Sequence, residues 1–225
     1  MRNNGIELLR ECSEKAKKNG KTLVAVTGGI GSGKSTAIGI LSSFGYPVFG
    51  ADETYRELLR DEEFVLLVSG KVGVKPVESE GKLLLDRKAI SELVFHDDKA
   101  KEKLESVTHP AIMRKMLQNA SAAIGSLVFC EVPLLYEGGY RDLFDFVFIV
   151  KRPDRARFAA VVSRDGRTEE QARKIASRQF DYEGFKGDER TFIIENDGDV
   201  PQLTEKIAEC LKYIKTEKQI TEKDK

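Results

Sequence analysis

The chain has 225 residues, which is enough for one domain with an insertion or for two small domains. Its 37 lysine and arginine residues are balanced by 37 aspartate and glutamate residues, so no basic excess is available to neutralise a nucleic-acid backbone. Hydrophobic residues make up 40% of the chain and charged residues 33%, a composition typical of folded proteins and not of disordered ones. We therefore expect a globular protein that does not bind nucleic acid.

Cysteine, histidine and hydropathy patterns exclude further classes of protein. Cys12, Cys130 and Cys210 form no CxxC pair, and their odd number argues against a disulfide framework, so we expect a reducing compartment. Neither histidine has a partner at the spacing of zinc ligands. No apolar run approaches the roughly 18 residues needed to cross a bilayer, and the N-terminus resembles neither a secretory signal nor a transit peptide. These features predict a cytoplasmic protein with no membrane contact.

The beginning of the chain predicts a helix followed by a strand, loop and helix. Apolar spacings over residues 6–17 favour an amphipathic helix that Gly20 ends, within an N-terminal helical extension of residues 1–20. The β-branched run Thr22–Thr27 lacks alternation, which is typical of a strand buried on both faces of a parallel sheet. After a glycine-rich loop, Ser35–Phe44 again has apolar residues on one helical face.

Later apolar runs predict four further buried strands, at Tyr46–Phe49, Ser126–Cys130, Phe146–Val150 and Phe192–Ile194. Helical patterns separate several of them, at Arg155–Arg164, Glu169–Phe180 and Gln202–Ile214. Because alternating strands and helices build α/β sheets, the expected fold class is α/β, with a doubly wound, parallel, five-stranded sheet.

One connection is longer than a crossover helix requires. About seventy residues, from about 54 to 123, separate the second and third strands. Charged amphipathic stretches at Arg87–Val94 and Ala100–Val107 predict that this insertion is mostly helical and covers substrate. The end of the chain, residues 216–225, is charged and nearly free of apolar residues, which predicts a frayed tail.

A phosphate-binding loop follows the first predicted strand. The segment from Gly28 to Ser35 matches G-x-x-x-x-G-K-[ST] and opens a predicted helix. Glycines let backbone N–H groups converge on phosphate oxygens, and the helix N-terminus adds positive potential. We expect Lys34 to reach the β- and γ-phosphates of a bound triphosphate, the Ser35 hydroxyl to hold Mg²⁺, and Thr36 to lie near the α-phosphate. The predicted nucleotide-binding residues of the loop are Gly29, Ile30, Gly31, Ser32, Gly33, Lys34, Ser35 and Thr36.

Signatures of other nucleotide-binding classes are missing from the sequence. There is no Asn-Lys-x-Asp segment of a switch GTPase, no His-Arg-Asp or Asp-Phe-Gly of a protein kinase, and no G-x-G-x-x-G frame of a dinucleotide fold. The sequence therefore predicts a small-molecule kinase with a P-loop NTPase fold.

Two acidic residues at strand ends are candidates for the chemistry. Transfer to an alcohol needs a carboxylate that orients and deprotonates the hydroxyl, and Asp52 follows the second strand as such a base requires. The alternative is that Asp52 caps a helix starting at Glu53. Glu131 ends another strand and is a candidate to support Mg²⁺ through water, or else a structural acid.

Several segments resemble those of the dephospho-CoA kinase family. In the family's order, they are Thr27–Thr36, Phe44–Val48, Ala51–Asp52 with Arg56, Leu85–Arg87, His109–Pro110 and Val132–Glu137. The resemblance implies an ATP-dependent kinase that phosphorylates the ribose 3′-hydroxyl of dephospho-CoA. It further implies a kinase domain over residues 21–215, in which the insertion binds the coenzyme and a mobile lid spans about 155–190.

The resemblance also implies roles for individual residues. Asp52 resembles the catalytic base, Arg56 lines the acceptor side, and Arg164 resembles a lid arginine that stabilises transition-state charge. The other residues implied are His109, Pro133 and Glu137 on the acceptor side and Asn196, which keeps its family place, on the nucleotide side.

Some of these residues have structural alternatives. Arg164 could be a solvated cation at a helix end, and the His109–Pro110 pair a helix boundary forced by the proline. Pro133 and Glu137 could belong to an ordinary strand-to-helix turn.

The chain departs from the family pattern in the lid. Positions that are often Gln and Arg in the family are Arg157 and Ala160 here, so Arg157 or Arg167 is a candidate to compensate. Two other functions stay open: a kinase of the same fold for a nucleoside or nucleotide, and a non-catalytic nucleotide-binding protein. The sequence does not predict an oligomeric state.

Overall fold

The computed structural model describes residues 2–223, with side chains described for residues 5–217. The chain divides into two compact units. We call residues 20–48 with 123–225 the sheet unit, and residues 1–19 with 49–122 the helical unit.

Helices and strands alternate through most of the described residues. The strands are β1 (Thr22–Thr27), β2 (Val48–Gly50), β3 (Val77–Ser79), β4 (Lys82–Leu84), β5 (Leu127–Glu131), β6 (Phe146–Lys151) and β7 (Thr191–Glu195). The helices are α1 (Arg2–Lys18), α2 (Lys34–Ser43), α3 (Ala51–Leu58), α4 (Glu62–Val72), α5 (Arg87–His96), α6 (Asp98–Ala122), α7 (Asp154–Asp165), α8 (Glu169–Ala176) and α9 (Val200–Lys223), with a 3₁₀ turn at Arg141–Leu143.

The sheet has the strand order β2-β5-β1-β6-β7, and its five strands are parallel. Strand β1 is central, so Val24 lies level with Phe129 on one side and Phe146 on the other. Every residue of β1 is buried, as expected for a strand covered on both faces. The α/β fold class and the five-stranded parallel sheet predicted from the sequence are thus confirmed.

The main hydrophobic core joins the sheet to α2 and α9. Val26, Phe129 and Phe148 from three strands pack with Leu41 of α2 and Ile207 of α9, and all five are completely buried. Full burial of an apolar side chain of this size contributes about 1.5–3 kcal/mol. This core fixes the carboxyl ends of the strands, where the phosphate-binding loop begins.

The last helix is longer than predicted. Helix α9 continues through Lys223, so the segment predicted as a frayed tail is helical as far as that residue, and residues 224–225 lie outside the described part of the chain. Lysine and glutamate, which dominate this segment, are good helix formers even without apolar neighbours.

The N-terminal helix belongs to the helical unit. Helix α1 packs against α6, and its apolar face is buried at Leu9 and Ala16. At the end of α1, the Asn19 Nδ2 donates to the Ser121 hydroxyl over 2.9 Å. The extension is therefore an integral part of this unit.

The connection between β2 and β5 is mostly helical and has a core of its own, built from Phe64, Val65, Val68, Val72, Leu85 and Ile90. Strands β3 and β4 form an exposed antiparallel hairpin that the sequence interpretation missed. Glu80 and Gly81 at its tip both have positive φ, as a two-residue hairpin turn requires. None of the helices among the described residues is long and apolar enough to span a bilayer.

Pro110 does not end a helix, so the structural alternative for His109–Pro110 is wrong. Pro110 lies inside α6, which continues for twelve residues to Ala122. An internal proline removes one backbone hydrogen bond. The helix continues because α6 buries side chains on both sides of the proline, including Thr108 before it and Met113 and Met116 after it.

Candidate active site

The loop between β1 and α2 has a backbone that only glycine adopts easily. Gly31 and Gly33 have φ of 75° and 99°, in the left-handed region. A Cβ atom on Gly31 would overlap the Arg157 carbonyl oxygen, and one on Gly33 would overlap the Asn196 side-chain amide. The loop is therefore held closely between α7 and the residue that follows β7.

The loop leads directly into the N-terminus of α2. Gly33 is the N-cap residue and provides no side-chain hydrogen bond to the first turn. The amides of Lys34, Ser35 and Thr36 consequently have no acceptor within the helix and favour an anion. The Ser35 and Thr36 side chains are exposed at this end, where such an anion would lie.

Lys34 lies against the loop and among charged groups. Its Nζ donates to the carbonyl oxygens of Gly28 and Gly29 over 2.8 and 3.0 Å. Burial lowers the pKa of Lys34 to about 8, opposed by the negative charge of Glu131 and assisted by the positive charge of Arg164. The ammonium group is thus poorly solvated, which suits it to bind phosphate oxygens.

Glu131 and Ser35 are the residues that the sequence predicted to hold a divalent cation. Glu131 is half-buried at the end of β5, and its charge acts on Lys34, as described above. Among the described residues, no group of three or more His, Cys, Asp or Glu side chains could enclose a metal ion. A single hydroxyl and one acid fit Mg²⁺, because this ion keeps water and takes substrate phosphates as ligands.

Asn196, which the resemblance assigns to the nucleotide side, contacts the loop. Its Nδ2 donates to the Ser32 carbonyl oxygen over 2.8 Å, and its backbone N–H donates to the Lys151 carbonyl oxygen over 2.7 Å. The first residue after β7 is therefore bonded both to the loop and to the neighbouring strand β6.

Residues 179–185, which we call the strap, cross the loop and were missed by sequence reasoning. The Ile30 N–H donates to Gln179 Oε1 over 2.8 Å, and the hydroxyls of Thr27 and Tyr182 share a hydrogen bond of 3.0 Å. Burial raises the pKa of Tyr182 to about 12. At the far end, Lys151 Nζ donates to the carbonyl oxygens of Glu183 and Phe185.

The strap also explains why α8 is shorter than predicted. The helical pattern extends to Phe180, but α8 ends at Ala176 and the chain then turns. The turn directs Gln179 to the loop and lets the Phe180 N–H donate to Glu137 Oε1 over 2.8 Å. These tertiary hydrogen bonds replace a further turn of helix.

Glu137 and Pro133 lie in a stretch of turns after β5. Pro133 is half-buried at its beginning, and no α-helix follows within the sheet unit before α7. The predicted alternative of a strand-to-helix turn is therefore wrong for both residues. Glu137 is exposed, and its carboxylate holds the strap and acts on Lys34.

Arg164 lies in the last turn of α7 and is 63% exposed. Its Nε and Nη2 donate to the two carboxylate oxygens of Asp165 over 2.6 and 2.9 Å. Its charge nevertheless contributes to lowering the pKa of Lys34. Arg164 is thus a cation at a helix end that also acts on the loop lysine.

The remaining predicted residues belong to the helical unit. Asp52 and Arg56 are both exposed and lie one turn apart on α3. The helix begins at Ala51 with Gly50 as the N-cap, so the alternative that Asp52 caps a helix is wrong. His109 is half-buried on α6, and burial lowers its pKa despite the nearby charge of Glu105.

A glycine loop of this form, placed between the central strand of a parallel sheet and a helix, defines the class of the protein as a P-loop kinase. The family model of dephospho-CoA kinase matches residues 22–202. The chain belongs to this family.

Individual relatives agree with the family match. A dephospho-CoA kinase of Thermus thermophilus is 33% identical over 184 residues, covering 80% of this chain and 86% of the relative. One from Chlorobaculum tepidum is 34% identical, covering 86% and 95%. A Thermus thermophilus crystal structure shares 30% identity, with a TM-score of 0.70 and coverage of 88% and 97%. The crystal structure of dephospho-CoA kinase from Campylobacter jejuni shares 27% identity, with a TM-score of 0.59 and coverage of 87% and 98%.

Proposed function

We propose that the chain transfers the terminal phosphoryl group of ATP to the ribose 3′-hydroxyl of dephospho-CoA, giving coenzyme A and ADP. The observation that carries the proposal is the match to the dephospho-CoA kinase family over residues 22–202, in a chain whose phosphate-binding loop is intact.

The loop binds the triphosphate of ATP. Backbone N–H groups at the N-terminus of α2 donate to the phosphate oxygens, and Lys34 exchanges its contacts with Gly28 and Gly29 for the β- and γ-phosphates. Because its ammonium is poorly solvated, replacing two carbonyl contacts by phosphate oxygens favours its charged form. The remaining nucleotide contacts are assigned to Gly29, Ile30, Gly31, Ser32, Gly33, Ser35, Thr36 and Asn196.

The reaction forms one phosphorus–oxygen bond and breaks another. The 3′-oxygen bonds to the γ-phosphorus while the bond from that phosphorus to the β,γ-bridging oxygen breaks, and ADP leaves. The hydroxyl proton goes to the carboxylate of Asp52, whose exposure on α3 leaves both oxygens accessible. Arg164 and Lys34 stabilise the negative charge that moves onto the leaving oxygen.

The helical unit is assigned to dephospho-CoA. Arg56 lies on α3 one turn after Asp52 and offers a positive charge to the acceptor's phosphates. His109 on α6 is assigned to the same substrate, and so, from the sheet unit, are Pro133 and Glu137 after β5. Residues of about 155–190 form the proposed lid, which brings Arg164 over the phosphates.

Mg²⁺ is the proposed metal, held by the Ser35 hydroxyl and supported by Glu131 through water. When bound, it neutralises charge on the β- and γ-phosphate oxygens. The proposed location is the cytoplasm, where the three free thiols of Cys12, Cys130 and Cys210 would remain reduced.

A coupled assay of ADP release tests the proposal. We expect rapid release with ATP, Mg²⁺ and dephospho-CoA together, slow release without acceptor, and a product that carries one additional phosphate by mass. Nucleosides and nucleoside monophosphates serve as matched acceptors and should give rates close to the background.

Two results would contradict the proposal. Turnover with a nucleoside monophosphate and none with dephospho-CoA would assign the chain to another kinase reaction. Tight ATP binding without turnover on any acceptor would make it a nucleotide-binding protein.

A further inference from the structure

Arg157 has a side chain that is fixed by its neighbours beside the phosphate-binding loop. Only 15% of the side chain is exposed. Its Nε donates to Asp154 Oδ1 over 2.7 Å, and its guanidinium carbon lies 4.7 Å from the centre of the Phe158 ring. An ion pair on one edge and an aromatic ring on one face together orient the planar group.

Among the described residues, the two terminal nitrogens of this guanidinium find no hydrogen-bond acceptor. Within the described part of the chain, the hydrogen bond to Asp154 comes from Nε, and neither Nη atom donates one. A charged group that is mostly buried is stable only when its donors find acceptors. The geometry therefore leaves a forked pair of donors for an anion.

The fork lies at the loop. A Cβ atom on Gly29 would stand 2.6 Å from Arg157 Nη1, so this nitrogen touches the loop backbone. Arg157 and Gly29 line a cavity of about 180 Å³ together with Gln179 and Tyr182 of the strap. Asp181 and Glu183 also line this cavity, so an anion would bind on the side where the Nη donors of Arg157 face Gly29.

Lys34 indicates which phosphate lies nearest. Its ammonium is 3.0 Å from the Gly29 carbonyl oxygen, the same loop residue that Arg157 touches. The lysine of such a loop serves the β- and γ-phosphates. Arg157 is therefore at the terminal end of the bound triphosphate, away from the α-phosphate.

We propose that Arg157 binds the terminal phosphate of ATP through Nη1 and Nη2, with Asp154 as the positioning residue that holds Nε. The inference rests on the proposed function for the identity of the nucleotide. Arg164 differs from Arg157 in two ways. Its side chain is exposed, and its Nε and Nη2 already donate to the two carboxylate oxygens of Asp165.

Equilibrium binding of ATP and ADP, each with Mg²⁺ and without acceptor, tests this assignment. A charge-assisted contact to the terminal phosphate is worth about tenfold or more in affinity. We expect Arg157→Gln to weaken ATP binding by about that factor while ADP binding changes less than about threefold. Arg157→Lys keeps the charge without the forked pair of donors, so its affinity for ATP should lie between those of the wild type and Arg157→Gln.

Arg155→Gln is the matched control, because Arg155 is an exposed arginine on the same helix. It should leave both affinities unchanged. Unchanged ATP affinity in Arg157→Gln would overturn the assignment. Equal losses of affinity for ATP and ADP, accompanied by a lower melting temperature, would also overturn it, because they would show that Arg157 supports the loop backbone. Binding is measured without acceptor, so this test does not depend on turnover. Failure of the enzyme to phosphorylate dephospho-CoA would contradict the proposed function, whereas the ATP and ADP affinities alone decide the role of Arg157.

Discussion

Gln179 and Ile30 are joined by a hydrogen bond of 2.8 Å although 149 residues separate them in the chain. The Ile30 N–H is the donor, and it belongs to the phosphate-binding loop, whereas Gln179 begins the strap that follows α8. The position of the loop backbone is therefore coupled to the strap, which is part of the proposed lid.

Removal of the acceptor at Gln179 should disturb the loop. In Gln179→Leu the Ile30 N–H loses its partner, which costs about 1–3 kcal/mol. We expect a lower free energy of unfolding and weaker ATP binding, measured by denaturant titration and equilibrium binding. Gln179→Glu keeps an oxygen acceptor and should retain most of the free energy of unfolding, whereas its negative charge beside the proposed phosphate site also weakens ATP binding. Identical losses of unfolding free energy in the two variants would mean that the hydrogen bond is not the cause.

Loss of the ammonium at Lys34 should affect turnover more than folding. Lys34→Ala removes charge where phosphoryl negative charge redistributes, and we expect kcat to fall by about a hundredfold or more. Steady-state kinetics at saturating ATP and dephospho-CoA measure this effect. Near-normal kcat would refute the role of Lys34.

The pH dependence of stability provides a separate test of Lys34. Burial lowers the pKa of Lys34 to about 8 from 10.5, so between these values the unfolded state binds more protons than the folded state. The contribution of Lys34 to stability therefore rises from about pH 8 to 10.5. The quantity to measure is the unfolding free energy of the wild type minus that of Lys34→Met, in the absence of nucleotide. We expect this difference to increase as the pH rises through this window. A constant difference would indicate that the lysine is solvated.

Asp52→Asn should separate catalysis from nucleotide binding. The amide cannot accept the hydroxyl proton, so we expect kcat to fall by about a hundredfold or more while ATP affinity is unchanged. Glu53→Gln, at the adjacent exposed position of α3, is the matched control and should keep its kcat. Equal kcat for Asp52→Asn and the wild type would show that Asp52 is not the base.

The N-terminal helix offers a stability test with its own control. Leu9 is 2% exposed and Leu8 is 43% exposed, although both lie on α1. Leu9→Ala should lower the free energy of unfolding by about 2–5 kcal/mol, because it leaves a cavity. Leu8→Ala should change it by less than about 0.5 kcal/mol. Similar small effects at both positions would mean that α1 does not pack tightly on α6.

The sequence predicted the elements whose residues carry their own local signal. The buried run of β1 was predicted at its observed bounds, Thr22–Thr27, because a continuous β-branched stretch is typical of a central parallel strand. The loop was predicted because its glycines, Lys34 and Ser35 form a fixed pattern. The hairpin at Val77–Ser79 and Lys82–Leu84 was missed, since its strands are short and mostly exposed.

Contacts between distant segments could not be predicted from one sequence. Gln179 and Tyr182 have no local pattern that connects them with Ile30 and Thr27, because these contacts depend on the chain turning after α8. Pro110 misled the interpretation in the opposite direction, because its local preference is overridden by the buried face of α6. For Arg157, the sequence indicated a candidate charge, and the structure shows that among the described residues its Nη donors have no acceptor.

The position of α1 has a consequence for synthesis of the protein. Its partner α6 spans Asp98–Ala122, so about a hundred residues must leave the ribosome before Leu9 and Ala16 can be covered. At a translation rate of about 5–20 residues per second, this amphipathic helix would wait roughly five to twenty seconds in the nascent chain. During that interval the uncovered apolar face of α1 is a natural target for a holding chaperone. A ribosome that stalls before α6 emerges would leave this face exposed in the nascent chain.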